Sequence, residues 1–341
     1  MSILLSSLRH PFKLFNYLGL RLCYRLKTKK VPFLPVYLDI EPNNTCNFSC
    51  PHCQVPHWTK EKVYLSKEDF TRIIDQFPNL IQIKLQGMGE PLLNKDLIDM
   101  LEIGEARGID MYFISNGSIM SDEIIERLLK LRRTRITFSI DGATRETFEE
   151  IRRGGNFERV TENIARLTSA RGMAKRPEIT CWTVVTRKNI DELADIVRLA
   201  RKLGLDRITI QTFLTDWGKD SMREFTEALS VRDEVSRLEE AIADARRTAE
   251  EEGIDIEINY KDYLSKKHKC EWPWMSAFIS SNGDVVPCCI IADPDTICMG
   301  NVFREDFEVI WNSEKYQKLR DMIGAHRLPD FCRNCYIDAD G

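Results

Sequence analysis

The sequence lacks the features that mark membrane-spanning, secreted and nucleic-acid-binding proteins. No segment of the 341 residues approaches the roughly 18 uninterrupted apolar residues that a membrane-spanning helix needs. The N-terminus does not resemble a signal peptide, because Arg9, His10 and Lys13 interrupt its apolar residues. The net charge of -4 provides no positive field that would attract nucleic acid. We therefore expect a cytoplasmic protein without a nucleic-acid partner.

The chain does contain an unusual number of cysteines for such a protein. Its 43% of hydrophobic and 30% of charged residues are ordinary globular values, so a packed core is expected. In a reducing compartment the 11 cysteines are not expected to form structural disulfides. Thiolates that cluster in such a compartment usually bind metal, and their spacing indicates which metal.

Strand and helix patterns alternate from residue 36 onward. The predicted strands cover residues 36–41, 81–86, 110–115, 135–140, 179–185 and 207–213. The predicted helices between them cover residues 66–77, 95–107, 121–131, 157–171 and 189–203. Alternating units of this kind predict parallel strands joined by right-handed crossovers. The six units predict an α/β fold, a partial (β/α)6 barrel of the TIM type.

The predicted domain organisation has four parts. Residues 1–35 form a basic amphipathic N-terminal extension, and residues 36–230 form the partial barrel. Residues 231–262 supply a charged connecting helix and a strand. Within residues 263–341 the cysteines become dense and the helices shorten, which predicts a small C-terminal domain stapled by metal.

Cys46, Cys50 and Cys53 form a C-x3-C-x2-C pattern directly after the first predicted strand. Structural zinc usually takes four ligands in two close pairs, whereas this loop offers three thiolates. His52 is a poor fourth ligand, because it lies between two of the cysteines and would strain the loop. A [4Fe–4S] cluster held by three cysteines leaves one iron open to another ligand. The pattern favours such a cluster over a zinc loop or a redox-inert cluster.

This loop resembles that of the radical S-adenosylmethionine (radical SAM) superfamily, whose unique iron chelates the amino and carboxylate groups of the cofactor. Three further segments resemble motifs of the family, each after a successive predicted strand: Gly87-Met88-Gly89-Glu90-Pro91, Ser115-Asn116-Gly117 and Ser139-Ile140-Asp141-Gly142. The resemblance covers roughly residues 36–213. One departure is His52, where the family usually has an aromatic residue that packs near adenine.

The resemblance implies a set of residues that bind S-adenosylmethionine. They are Gly87, Gly89, Glu90, Asn116, Ser139, Asp141 and Arg152. The glycines would let the backbone approach the ligand, and Glu90 would accept a hydrogen bond from its ammonium group. Ser139 and Asp141 would suit the ribose hydroxyls or the methionyl end. Arg152 or Arg153 would pair with the cofactor's carboxylate.

The resemblance also implies a reaction. The reduced cluster would donate one electron to S-adenosylmethionine, yielding methionine and a 5′-deoxyadenosyl radical that abstracts hydrogen from a substrate C–H bond. A protein of the flavodoxin or ferredoxin type would supply that electron. No residue of this chain is assigned a catalytic role of its own.

The cysteines near the C-terminus resemble the SPASM/Twitch extension that follows many radical SAM barrels. We predict one auxiliary [4Fe–4S] cluster on Cys270, Cys288, Cys332 and Cys335. Cys289 or Cys298 can replace one of these ligands. The alternative is a structural zinc on the same four thiolates, which also suit a tetrahedral site.

Two other cysteines lie outside both patterns. We expect Cys23 and Cys181 to be buried apolar residues. A second interpretation of Cys181 is that it donates a hydrogen atom to a substrate radical.

The substrate class is inferred from the family resemblance and not from a motif of its own. Members of the family with auxiliary clusters modify ribosomal peptides, or oxidise and epimerise carbohydrates and aminocyclitols. Peptide modifiers frequently carry an N-terminal leader-recognition domain, whereas about 35 residues precede the first predicted strand. We therefore expect oxidation or epimerisation of a carbohydrate-like or other small metabolite, with crosslinking, epimerisation or oxidation of a ribosomal peptide as the alternative. A non-catalytic iron–sulfur electron carrier is a weaker alternative.

Acidic residues are absent from residues 1–38, which carry seven basic ones. Leucines and aromatic residues between residues 4 and 26 fall largely at helical spacing, and Pro11 is expected to break or kink this helix. One interpretation is that the segment covers the bottom of the barrel. The other is a peripheral membrane contact through residues 1–30, because a simple cover needs no exclusion of acidic residues.

Overall fold

The computed structural model describes residues 10–259 and 270–332, and the structural statements below refer to these residues. The predictions for residues 1–9 and for Cys335 lie outside the described residues. No helix in the described part is long and apolar enough to cross a membrane.

Strands and helices alternate along the first three quarters of the chain. The strands are β1 (Tyr37–Ile40), β2 (Gln82–Leu85), β3 (Asp110–Ser115), β4 (Thr134–Ser139), β5 (Glu178–Val184), β6 (Arg207–Gln211) and β7 (Asp255–Asn259). The helices are α1 (Pro11–Leu26), α2 (Lys67–Asp75), α3 (Leu97–Ala106), α4 (Asp122–Leu128), α5 (Arg145–Ile151), α6 (Phe157–Arg171), α7 (Leu193–Lys202), α8 (Asp220–Leu229) and α9 (Val235–Glu252). The C-terminal part adds α10 (Trp272–Met275), β8 (Ser276–Ile279), β9 (Asp284–Val286), β10 (Gly300–Asn301), α11 (Phe307–Trp311) and α12 (Glu314–Gly324).

All ten of these strands belong to one sheet, in the order β10-β9-β8-β1-β2-β3-β4-β5-β6-β7. Strands β1 to β7 run parallel, which confirms the α/β architecture expected from the sequence. The sheet has seven parallel strands before the C-terminal part instead of six, because the strand expected in the connecting region joins β6 as β7.

The C-terminal part continues the same sheet. Strand β8 pairs with β1 in parallel, with Tyr37 opposite Ser276 and Ile40 opposite Ile279. This pairing covers the backbone edge of β1, which would otherwise be an unpaired strand edge. The sequence did not predict this long-range pairing, because β8 is a short apolar run in a cysteine-rich stretch. The proposed four-part domain division remains a prediction.

The outer face of the sheet packs against the helices. Cys181 on β5 stands in register with Phe138 on β4 and Ile208 on β6, and all three side chains are fully buried. Its neighbour Trp182 points to the opposite face of the sheet, toward the interior of the barrel. Cys181 therefore lies in the apolar layer beneath the helices, on the face away from the barrel interior.

Helix α1 lies across the amino-terminal ends of the strands. It begins at Pro11, which occupies the first helical turn, so the proline starts this helix and does not kink it. Lys13 Nζ donates to the carbonyl of Gly108, which precedes β3, at 3.1 Å. Asn16 Nδ2 donates to the carbonyl of Leu34, which precedes β1, at 2.8 Å. One face of α1 thus covers the bottom of the barrel.

A buried arginine joins α12 to α10 and to the segment that precedes β1. Arg320 Nε donates to the carbonyl of Pro273 at 2.7 Å, and Nη1 donates to the carbonyl of Lys29 at 2.9 Å. Its guanidinium carbon lies 4.3 Å from the ring centroid of Trp311. Burial lowers the pKa of Arg320 to about 10.

Replacing this arginine should weaken the whole C-terminal part. Arg320→Met removes both hydrogen bonds and leaves the buried carbonyl of Pro273 unpaired, so we expect a loss of about 3 kcal/mol in the free energy of unfolding. The midpoint of urea unfolding measures it. Lys318→Met, at an exposed position of the same helix, is the matched control. Equal midpoints for the two variants would contradict this role.

Candidate active site

The carboxyl ends of the strands surround a cavity of about 270 Å³. Its wall contains the three cysteines of the first cysteine loop, Cys46, Cys50 and Cys53. Six of the seven predicted cofactor-binding residues also line it: Gly87, Gly89, Glu90, Asn116, Ser139 and Arg152. The structure therefore gathers in one place residues that follow four successive strands.

Backbone and side-chain contacts hold the cysteine loop against its neighbours. The N–H of Cys53 donates to the carbonyl of Cys50 at 3.0 Å, and the N–H of Phe48 donates to Cys46 Sγ at 3.4 Å. The N–H of Ser49 donates to the carbonyl of Arg153 at 2.8 Å. The loop is thus fixed to the segment after α5.

The chemistry of these thiols depends on metal binding. Burial raises the pKa of the Cys46 and Cys50 thiols and raises the pKa of Cys53 to about 12. Iron must therefore displace their protons when it binds. No three His, Cys, Asp or Glu side chains of the described ranges are placed to share a single metal ion. A cubane cluster does not require that, because each cysteine binds a different iron.

The cavity wall offers polar atoms that suit a polar cofactor. His52 Nδ1, Gln86 Oε1 and Trp217 Nε1 are buried and have no hydrogen-bond partner among the described residues. All three residues line the cavity. Because buried polar groups usually have partners, these atoms fit a site that holds a ligand with several donors and acceptors.

Glu90 organises the loops more than the sequence suggested. Its Oε1 accepts hydrogen bonds from the N–H of Leu92 at 3.1 Å and from Ser115 Oγ at 2.8 Å. Its Oε2 accepts from the N–H of Asn116 at 2.7 Å. Both oxygens already have protein partners, so a contact with the cofactor's ammonium would be an additional one and remains a prediction.

Asn116 connects this carboxylate to the cysteine loop. Its Nδ2 donates to Asn47 Oδ1 at 2.9 Å and lies 3.9 Å from Cys46 Sγ. Its Oδ1 accepts from the N–H of Ser118 at 2.9 Å. The turn after β3 is therefore held in place on both sides.

The two glycines of the motif are needed for contacts within the protein. A Cβ atom on Gly87 would lie 2.2 Å from Glu41 Cγ, and one on Gly89 would lie 2.2 Å from Asn43 Oδ1. The motif predicted that these glycines let the backbone approach a ligand closely. The structure shows that the segment after β1 occupies the space beside them.

Asp141 occupies a different position from the one expected. It is fully buried and is not part of the cavity wall. Its Oδ2 pairs with Arg152 Nε at 2.5 Å, and its Oδ1 accepts from the N–H of Val184 at 2.8 Å. Although burial opposes the charge of Arg152, Asp141 holds its pKa above the usual range. Asp141 therefore positions Arg152, whereas Arg153 is exposed.

Glu41 is a site residue that the sequence analysis missed. Its Oε1 accepts from the N–H of Met88 at 3.0 Å, and its Oε2 accepts from Ser281 Oγ at 2.9 Å and from the Ser281 N–H at 3.2 Å. This carboxylate joins the end of β1 to the Gly87–Pro91 segment and to the turn between β8 and β9. Its place at the end of a predicted strand was the only sequence signal.

Other residues that line the cavity were also missed. They include Lys84, Gln86, Trp182, Gln211 and Trp217. The alternating polar residues of the predicted strand 81–86, Gln82, Lys84 and Gln86, were a usable signal, because strands with both faces packed in a core are usually apolar throughout. Burial opposes the charge of Lys84, but nearby Asp39 holds its pKa above the usual range. Lys84 is thus a positive charge in the cavity wall.

The C-terminal cysteines occupy different environments. Cys270, Cys288 and Cys332 are half-buried, and their role as ligands of an auxiliary cluster remains a prediction. Cys298 Sγ donates to the carbonyl of Gly300 at 3.3 Å. Cys289 lines the cavity, beside Asp39.

Two protein-family models match the chain. The model described as "Radical SAM superfamily" matches residues 40–200, and the SPASM model, described as "Iron-sulfur cluster-binding domain", matches residues 270–336. The chain belongs to the radical SAM superfamily. Its cofactors are therefore S-adenosylmethionine and a [4Fe–4S] cluster, and its C-terminal part is an iron–sulfur SPASM domain. The cavity described above provides the three thiolates and the polar wall that such cofactors need.

Similar proteins extend this assignment over most of the chain. An AdoMet-dependent heme synthase of Methanosarcina barkeri is 27% identical over 81% of this chain and 82% of its own length. A PqqA peptide cyclase of Gluconobacter oxydans is 27% identical over 89% of this chain and 84% of its own length. The names of these two relatives give substrates that differ from each other.

A solved structure confirms the fold. The crystal structure of Streptococcus suis SuiB bound to precursor peptide SuiA has a TM-score of 0.68, with 17% identity. It covers 84% of this chain and 66% of SuiB, so the chain spans about two thirds of that protein's length. At this identity the likeness shows the fold alone, a partial TIM-type barrel with a C-terminal SPASM domain.

Asp141 and Arg152 give a prediction that separates cofactor binding from cluster binding. Asp141→Asn removes the partner of a buried cation, so we expect S-adenosylmethionine to bind roughly 10- to 150-fold more weakly with unchanged iron content. Calorimetry on the reconstituted protein and an iron assay measure both quantities. Asp122→Asn is the control, because its carboxylate pairs with Arg166 at an exposed position. Unchanged affinity in Asp141→Asn would show that the pair does not serve this cofactor.

Iron stoichiometry tests the two cysteine sets. We expect about eight iron atoms per anaerobically reconstituted chain, in two cubane clusters. Joint replacement of Cys46, Cys50 and Cys53 by Ala should leave about four. Iron near four together with one equivalent of zinc in the unaltered protein would show that the C-terminal cysteines bind zinc.

Proposed function

We propose that this radical SAM enzyme modifies a peptide, by crosslinking, epimerisation or oxidation of its residues. The proposal rests on the cavity, whose wall combines the cysteine loop with the C-terminal residues Cys289 and Ile290. Lys84, Trp182 and Gln211 also line the cavity, and none of them is a predicted cofactor residue, so we assign them to the substrate. Similarity to a PqqA peptide cyclase along most of the chain supports a peptide in that place.

Different residues around the cavity have different roles in the reaction. When bound, the cluster and S-adenosylmethionine would supply the radical chemistry that removes a hydrogen atom from a substrate C–H bond. Arg152, positioned by Asp141, offers a fixed cation for the cofactor's carboxylate. Phe48, Trp182 and Trp217 provide apolar surface that excludes water from the reacting atoms.

The cationic Lys84 gives the cavity a chemical preference for its substrate. A peptide segment with an acidic side chain near the reacting carbon would pair with it. The PqqA peptide cyclase similarity favours a peptide over the carbohydrate-like metabolite expected from the sequence. A small metabolite remains the second candidate, because the chain is equally similar to a heme synthase.

A substrate-dependent cleavage assay distinguishes the two candidates. The reconstituted enzyme is incubated anaerobically with S-adenosylmethionine, a reductant and either peptides encoded beside its gene or small metabolites. We expect a peptide to raise the yield of 5′-deoxyadenosine several-fold. The peptide should then lose two hydrogen atoms on oxidation or crosslinking, or gain one deuterium from heavy water on epimerisation.

The variant with Cys46, Cys50 and Cys53 replaced by Ala controls for cluster-independent cleavage and should form no 5′-deoxyadenosine. Stimulation by a small metabolite, with every peptide left unaltered, would contradict the peptide proposal.

A further inference from the structure

Helix α1 exposes a continuous row of large apolar side chains. The row, here called the outer stripe, consists of Phe12, Phe15, Leu18, Leu22 and Leu26, which are exposed by 79%, 68%, 54%, 56% and 64%. Their spacings of three and four residues place them on one face of the helix. An isolated exposed apolar residue is ordinary, but five in one row mark an interaction surface.

The stripe is distinct from the face by which α1 packs on the barrel. Asn16, Leu20 and Cys23 are buried against the protein. The side chains of the outer stripe point away from that contact, although Phe15 also meets the ring of Phe33 at 5.8 Å between centroids. Among the residues that the structure describes, the packing of α1 on the barrel thus leaves the stripe exposed.

Basic residues border the stripe. Arg25 and Lys30 are exposed and have no acidic partner within 4 Å in the described ranges. Arg21 pairs with Glu271 at 2.5 Å, and Lys29 pairs with Asp321 at 2.9 Å, so part of the positive charge is balanced. No acidic residue lies in the helix itself or anywhere in residues 1–38.

We propose that α1 binds the surface of a membrane that contains anionic lipids, with the outer stripe inserted among the headgroups and Arg25 and Lys30 on the lipid phosphates. A helix that lies in the interface needs an apolar face beside a basic edge, and α1 has both. The basic edge favours a negatively charged surface over a neutral apolar partner.

This arrangement fixes the orientation of the enzyme. Helix α1 covers the amino-terminal ends of the strands, whereas the cavity opens at their carboxyl ends. The entrance of the cavity then faces away from the lipid. The contact therefore retains the enzyme at the membrane and leaves the active site open to substrates in the aqueous phase.

Co-sedimentation of the holoenzyme with vesicles tests the proposal. We expect binding to vesicles of phosphatidylcholine with phosphatidylserine at low salt, and weaker binding at high salt. Leu18→Glu/Leu22→Glu should lower the partition coefficient at least about tenfold, because two apolar side chains no longer insert. Arg25→Gln should lower it about fivefold.

Met173→Glu/Val309→Glu is the matched control, since it places the same charges at two exposed apolar positions elsewhere. It should bind vesicles like the unaltered protein, and all variants should keep their iron. Failure of the unaltered protein to sediment, or equal sedimentation of Leu18→Glu/Leu22→Glu, overturns the proposal. A dimer in lipid-free solution that this double variant dissociates, without vesicle binding, would instead make the stripe a contact between two copies.

Discussion

Buried carboxylates at the carboxyl ends of the strands hold the active site together. Glu41, Glu90 and Asp141 follow β1, β2 and β4, and each joins its own loop to another segment. Burial raises the pKa of Glu41 and of Glu90, so their charged forms depend on the donors around them. Hydrogen-bond donors from neighbouring segments therefore fix the loops that form the cavity.

The sequence predicted the features that depend on local pattern. The parallel strands, the converging motifs and the three-cysteine loop follow from spacing and periodicity along the chain. The burial of Asp141 behind Arg152 could not be predicted, because a motif names a residue type without saying whether its side chain faces ligand or protein. Glu41 was missed for a related reason, since its partner Ser281 lies 240 positions away in the sequence.

The interior of the barrel combines two kinds of surface. The segments after β1 to β4 present the predicted cofactor residues, while β2, β5 and β6 contribute Lys84, Trp182 and Gln211. The SPASM domain approaches the same cavity with Cys289, because β8 is paired directly to β1. Its position at the cavity is thus a consequence of sheet pairing.

The pairing of β8 with β1 also has a consequence for synthesis of the chain. Tyr37 and its partner Ser276 are 239 residues apart (276 minus 37), so a ribosome adding about 5–20 residues per second needs on the order of ten to fifty seconds between them. During that interval the edge of β1, and the cysteine loop that follows it, cannot be closed by the C-terminal part. The three cysteines of the first loop are therefore synthesised well before the strand that completes the sheet beside them.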